Sequence, residues 1–72
     1  MQHQQGIAIQ TGIDLERLRA RLRKMTDTEL RRFGRAARFM CSPRANLGKQ
    51  PREAFVVQLQ EARGEWRRRK AQ

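Results

Sequence analysis

Apolar residues recur every three or four positions in three separate stretches of the chain. This spacing puts them on one face of an α-helix, because a helix turns once every 3.6 residues. It predicts helices over about residues 13–25, 27–41 and 51–69. The alternating pattern of a half-buried strand is absent from the sequence. We therefore predict an all-α fold, a single small three-helix domain over residues 13–72 that follows a short, polar, flexible tail over residues 1–12.

The junction between the first two predicted helices carries the clearest local signal. Thr26 and Glu29 have the spacing of a capping box, and Met25 and Leu30 that of the accompanying hydrophobic staple. Because this cap starts the second helix, the first must end just before it, which predicts a tight corner. Met25 is also a candidate translation start, in which case residues 1–24 are an appendage to a two-helix core.

The other helix boundaries are marked by caps, prolines and turn residues. Thr11 or Asp14 can cap the first helix. The stretch 42–50 is rich in turn residues, and Leu47 is expected to hold it against the core. Pro51 is expected at the first position of the third helix, where proline is favoured.

The predicted core is small. A chain of 72 residues buries only about 60% of the surface that it exposes when unfolded, so self-association or stabilisation by a partner is expected. Val57 and Gly64 fall on the far side of the third helix, either incidentally or as a second contact such as a dimer. The predicted core residues are Leu15, Leu18, Leu22, Leu30, Phe33, Ala37, Met40, Phe55, Leu59, Ala62 and Trp66.

Charge points to a polyanionic partner. The chain has 17 Lys and Arg residues against 7 Asp and Glu, a net charge of +10, and every predicted segment is basic. Arginine, the dominant cation, suits bidentate phosphate contacts and stacking on bases. A GC-rich genome is an alternative source of the arginine excess.

The second predicted helix carries a row of arginines with an aromatic residue beside it. Phe39 among these arginines suits the stacking of an unpaired base, and the alternative is that it packs against the tail or the following loop. The cations at 67–70 also suit the negative end of a helix dipole, with Arg69 able to pair with Glu65. The candidate nucleic-acid-binding residues are Arg31, Arg35, Arg38, Phe39, Arg44, Lys49, Arg67, Arg68 and Arg69.

The sequence argues against several other functions. His3 is the only histidine and Cys41 the only cysteine, so we expect no catalytic residue, no metal site and no cofactor. No stretch has the length of a membrane span, and the N-terminus lacks the pattern of a signal peptide. We expect a small cytoplasmic protein of bacterial type.

Two functional hypotheses remain open. The first is a small, non-catalytic module that binds DNA or RNA mainly through phosphates. A helix-turn-helix is not favoured, since its turn has about three or four residues and this connection is longer. The alternative is a protein-interaction subunit or small regulator within a larger, possibly nucleoprotein, assembly, or a homodimer. A helix lying on a membrane surface is less favoured, because the first predicted helix has no interfacial aromatic residue.

Overall fold

Three α-helices make up most of residues 14–71, which are the residues that the computed structural model describes. They are α1 (Leu15–Lys24), α2 (Asp27–Met40) and α3 (Glu53–Lys70). The all-α prediction is confirmed, and each predicted boundary lies within two residues of the observed one. The predicted tail over 1–12, and Thr11 as a cap, fall outside the described residues. None of these three helices has both the length and the apolar character needed to cross a membrane.

The corner between α1 and α2 has the predicted capping box. The Thr26 hydroxyl accepts a hydrogen bond from the Glu29 backbone N–H at 3.1 Å, and the Glu29 carboxylate accepts one from the Thr26 N–H at 2.9 Å. Only Met25 and Thr26, both in extended conformation, separate the two helices. Met25 packs against the apolar core together with Leu30. The tight corner is therefore confirmed.

The starts of α1 and α3 differ in how they are capped. The Asp14 side chain accepts a hydrogen bond from the Arg17 N–H at 3.2 Å, as one of the two predicted caps requires. At α3 the N-cap is Arg52, whose side chain makes no capping hydrogen bond. The expectation that Pro51 is the first helical residue was wrong, because Arg52 is extended and the helix begins only at Glu53.

Helix α3 is the central element, since it packs against both α1 and α2. The apolar side chains that are buried within residues 14–71 come from all three helices: Leu18, Leu22, Leu30, Ala37 and Ala62. The other predicted core residues are only partly buried: Leu15, Phe33, Met40, Phe55, Leu59 and Trp66. The core is as thin as the chain length implies.

The far side of α3 makes a second contact, and that contact is within the chain. Val57 packs against the core cluster, so its position on this side of the helix is a contact within the chain and is not incidental. Gly64 lines a small cleft with Arg19 and Leu22 of α1. The spacing of Val57 and Gly64 therefore marks where α1 sits, because α3 has helices on two sides and cannot show one simple apolar stripe.

The Arg69 guanidinium joins the ends of all three helices. From the last turn of α3 it donates to the carboxylates of Glu65 and Asp27, each at 2.8 Å. It also donates to the carbonyl oxygens of Leu22 and Met25, at 2.9 and 2.7 Å. The Leu22 carbonyl also accepts from the Met25 N–H at 3.1 Å, so Arg69 is its second donor, and the helix dipole favours a cation at this end of α1. The predicted Glu65–Arg69 pair is confirmed, and Arg69 also caps the C-terminus of α1.

The connection between α2 and α3 is anchored by a polar side chain rather than an apolar one. The Asn46 amide donates to the carbonyl oxygens of Met40 and Ser42, both at 2.8 Å, which closes the end of α2. Leu47 is 87% exposed, so the expectation that it holds the loop to the core was wrong. Leu47 and Gly48 both have positive φ angles, of 53° and 80°, which turn the chain here while Leu47 stays in solvent.

The capping box predicts a measurable loss on mutation. Thr26→Ala should lower the free energy of unfolding by about 1 kcal/mol, because the Glu29 backbone N–H loses the Thr26 hydroxyl that accepts its hydrogen bond. Thr28→Ala is the matched control, since Thr28 is exposed in the same helical turn. Urea denaturation of the three proteins measures the difference. Equal losses for both variants would contradict the role of the cap.

Candidate nucleic-acid interface

Arginines from two helices face each other across one open groove between α2 and α3. The groove has a volume of about 350 Å³. We call it the arginine groove, and its rim consists of Arg31, Arg35, Arg38, Arg63 and Arg67. Its floor consists of Leu30, Gly34, Leu59, Ala62 and Trp66.

The helix packing explains why these arginines meet. Arg31 lies over Trp66 and Gly34 lies beside Ala62, so the two helices run in opposite directions along their contact. Each rim arginine directly follows a residue on the packed side of its helix. Advancing one residue along a helix rotates the direction of the side chain by about 100° about the helix axis. When two helices are antiparallel, this rotation brings the side chains of both helices to the same side of their interface. The pattern is repeated by Leu30-Arg31, Gly34-Arg35, Ala37-Arg38, Ala62-Arg63 and Trp66-Arg67.

The floor of the groove is narrow in the middle and aromatic at one end. A Cβ built on Gly34 would lie 3.9 Å from the Ala62 Cβ, so these two small residues let the backbones of α2 and α3 approach closely. At the end of the groove the Arg31 guanidinium lies 5.3 Å from the centroid of the Trp66 ring, within the range of a cation–π contact. The Trp66 ring is partly exposed there.

The groove holds positive charge that no nearby carboxylate offsets. None of its lining residues is acidic, although all seven Asp and Glu residues of the chain lie in the described part. Within residues 14–71, none of the five rim arginines makes a salt bridge. Five guanidinium groups around one concave surface make a site for an anion with several charges.

The paired arginines lie elsewhere, where α3 meets α1 and the corner. Arg19 donates to the two Glu61 oxygens at 2.8 and 3.1 Å, and this contact lowers the pKa of Glu61 and raises that of Arg19. Glu65 is buried and accepts hydrogen bonds from Arg68 and Arg69. The hydrogen bond from Arg68 is the largest influence on Glu65, and together with Arg69 it lowers the pKa of Glu65 to about 2 although burial opposes this.

The predicted site residues therefore fall into three groups. Arg31, Arg35, Arg38 and Arg67 come together on the rim of the arginine groove. Arg68 and Arg69 lie in the ion-pair cluster around Glu65, and the donors of Arg69 are directed into the protein. Three lie on the surface outside the groove lining: Phe39, Arg44 and Lys49.

One rim residue was not identified from the sequence, which also left the role of Phe39 open. Arg63 was not singled out, although its place directly after Ala62 repeats the pattern of the other rim arginines. Phe39 is 56% exposed, so within the described residues it does not pack into the following loop. The aromatic ring that lies among the arginines of the groove is Trp66 rather than Phe39.

Comparison with known proteins gives no independent indication of function. No protein-family model, no curated protein and no solved structure matches this chain. Within the described residues no group of three or more His, Cys, Asp and Glu side chains could hold a metal ion. The geometry and charge of the arginine groove are therefore the features that bear on its function.

The ion-pair cluster predicts how stability depends on pH. The pKa of Glu65 is about 2 in the folded protein and has an ordinary value of 4.5, so folding favours the ionised carboxylate. Its contribution to stability is complete above about pH 5 and is lost as the pH falls through 4.5 towards 2. We expect Glu65→Gln to be less stable than the wild type at pH 7, and the difference between the two to shrink steadily below pH 4.5.

Urea denaturation between pH 7 and pH 2.5 measures this difference. Glu53→Gln is the control, because Glu53 is exposed in the first turn of α3 and makes no salt bridge within residues 14–71. A difference between wild type and Glu65→Gln that stays constant over this pH range would show that the Glu65 carboxylate does not stabilise the fold through its charge.

Proposed function

We propose that this protein is a small, non-catalytic nucleic-acid-binding module whose binding surface is the arginine groove. The observation that carries the proposal is the set of five rim arginines that face one cavity with no carboxylate in its lining. Nucleic acids present closely spaced phosphates, and arginine binds phosphate through two parallel hydrogen bonds.

The division of the arginines supports this proposal. Three arginines, Arg19, Arg68 and Arg69, pair with carboxylates on the side of α3 that faces α1 and the corner. Other arginines that make no salt bridge within residues 14–71, such as Arg17 and Arg32, lie outside the groove lining. The five rim arginines, which make no salt bridge in the described part of the chain, share the other side of α3.

The groove supports binding that is dominated by phosphates. Its arginines come from two packed helices, so the backbone positions that carry them are fixed relative to one another before a ligand arrives. Within the described residues, no helix end or loop enters the groove in the way that a recognition helix enters the major groove of DNA to contact base pairs. The proposal therefore covers DNA and RNA alike and predicts only modest sequence preference.

The second candidate is a protein-interaction subunit, and one observation favours it. Phe39 and Leu47 are large apolar side chains that are 56% and 87% exposed, on the helix end and the connection that follow the groove. A contiguous exposed apolar patch marks a contact with another protein, and these two side chains are candidates to contribute to one. If the chain binds no nucleic acid at low salt, this surface becomes the better explanation of the protein.

The salt dependence of binding tests the proposal. Each phosphate that is neutralised on a single strand adds about 0.7 to the magnitude of the slope of log K against log salt, so the five rim arginines give a slope no steeper than about −3.5. We expect the double variant Arg35→Gln/Arg63→Gln to bind more weakly, with a slope whose magnitude is about 1.4 smaller than that of the wild type. Fluorescence anisotropy of a labelled single strand of 15 nucleotides, measured between 50 and 300 mM salt, gives the affinity and the slope for each protein.

A control variant with the same net charge distinguishes binding at the arginine groove from non-specific electrostatic attraction. Arg17→Gln/Arg32→Gln also removes two exposed arginines that make no salt bridge within residues 14–71, but neither lines the groove. It should keep a slope near that of the wild type. Equal losses in the two double variants would show that net charge and not the groove binds the strand, and no binding at 50 mM salt would overturn the proposal.

A further inference from the structure

The floor of the arginine groove has features that phosphate binding does not require. Phosphate contacts need cations, yet Leu30, Leu59 and Trp66 form an apolar surface beneath the five guanidinium groups. Trp66 is partly exposed at one end, with the Arg31 guanidinium 5.3 Å from its ring centroid. Unpaired bases bind proteins by stacking on aromatic rings and on guanidinium planes, and both are present here.

The size of the groove favours an unpaired nucleotide over a duplex. A volume of about 350 Å³ is at the lower end of the range for small-ligand pockets, which suits one nucleotide. A duplex stacks its bases inside and presents phosphates and base edges only, so it would leave the apolar floor uncovered. An unpaired nucleotide brings a flat apolar ring and a phosphate together.

The polar groups of the groove select among the bases. Every polar side chain in its lining is an arginine, except for the indole N–H of Trp66, so the side chains can donate hydrogen bonds but accept none. Guanine presents two neighbouring acceptors, O6 and N7, which match the fork of a guanidinium group. Adenine and cytosine each present an amino donor on the corresponding edge, which would find no side-chain acceptor here.

From these observations we propose that the arginine groove binds an unpaired guanine nucleotide of a single strand. The base packs against the exposed part of Trp66, the Arg31 guanidinium beside that ring donates to guanine O6 and N7, and the other rim arginines bind the flanking phosphates. This inference rests on the proposed nucleic-acid binding and names the form of nucleic acid and the base that the groove prefers.

Trp66 is the only tryptophan of the chain, so its fluorescence reports directly on the groove. The test uses three single-stranded DNA oligonucleotides of nine nucleotides, each with adenine at every position except the centre, which is guanine, cytosine or adenine. A fourth sample is the guanine strand paired with its complement. We expect the guanine strand to quench Trp66 and to bind about tenfold more tightly than the other two strands, which corresponds to about 1.4 kcal/mol. The duplex should bind without quenching.

Two variants test the assignment of the base site without disturbing the core. Arg31→Gln removes the guanidinium over Trp66, and Arg31 is itself exposed. It should reduce the preference for guanine from about tenfold to less than threefold, as measured by anisotropy of labelled strands. Arg32→Gln, the adjacent exposed residue outside the groove lining, should keep the full preference. Circular dichroism confirms that both variants are folded.

The outcomes separate this inference from the function on which it rests. Salt-dependent binding of all three strands with equal affinity and no quenching would overturn the guanine site and leave nucleic-acid binding intact. No binding of any strand at 50 mM salt would overturn both. Quenching by guanosine monophosphate at the same concentrations as the nine-residue strand would show a site for a free nucleotide and overturn the single-strand assignment.

Discussion

The hydrogen bonds of one guanidinium group, that of Arg69, connect the ends of the three helices. They reach Glu65 on α3, Asp27 at the start of α2, and the carbonyl oxygens of Leu22 and Met25 at the end of α1. Few apolar side chains of the described residues are fully buried, so apolar packing alone supplies only part of the stability of a chain this short. The cluster around Arg69 adds a polar, directional anchor at the corner, in which Arg69 and Glu65 are largely shielded from water while Asp27 is exposed.

This cluster also determines which arginines remain available to a ligand. Arg19, Arg68 and Arg69 occupy the available carboxylates on the side of α3 that faces α1 and the corner. On the opposite side α3 meets α2, where the rim of the arginine groove has no acidic neighbour in its lining. The same helix thus uses arginine for stability on one side and leaves it exposed to an anion on the other, and the net charge of +10 is unevenly compensated as a result.

The helices and their corner could be predicted from the sequence because their signals are local. The capping box at Thr26 and Glu29 involves residues three positions apart and forms as expected. Contacts between helices were harder to predict, because they depend on how α3 is oriented. Leu47 was expected to hold the connection between α2 and α3 against the core, because apolar side chains are usually buried. The Asn46 amide holds it instead, through its hydrogen bond to the Met40 carbonyl, and Leu47 is exposed. Arg63 and the aromatic role of Trp66 emerge only when α2 and α3 are seen side by side, although the placement of each rim arginine next to a packed residue is visible in the sequence.

The NMR signals of the arginine Nε–Hε groups, recorded with and without the single strand, test the central claim most directly. The claim is that the five rim arginines bind the strand, while the salt-bridged arginines Arg19, Arg68 and Arg69 on the other side of α3 hold the fold. It predicts that the signals of Arg31, Arg35 and Arg63 shift as the strand is added, while those of Arg19 and Arg69 stay where they are. Shifts of Arg19 and Arg69 comparable to those of the groove residues, or no shift of the groove residues at saturating strand, would contradict it.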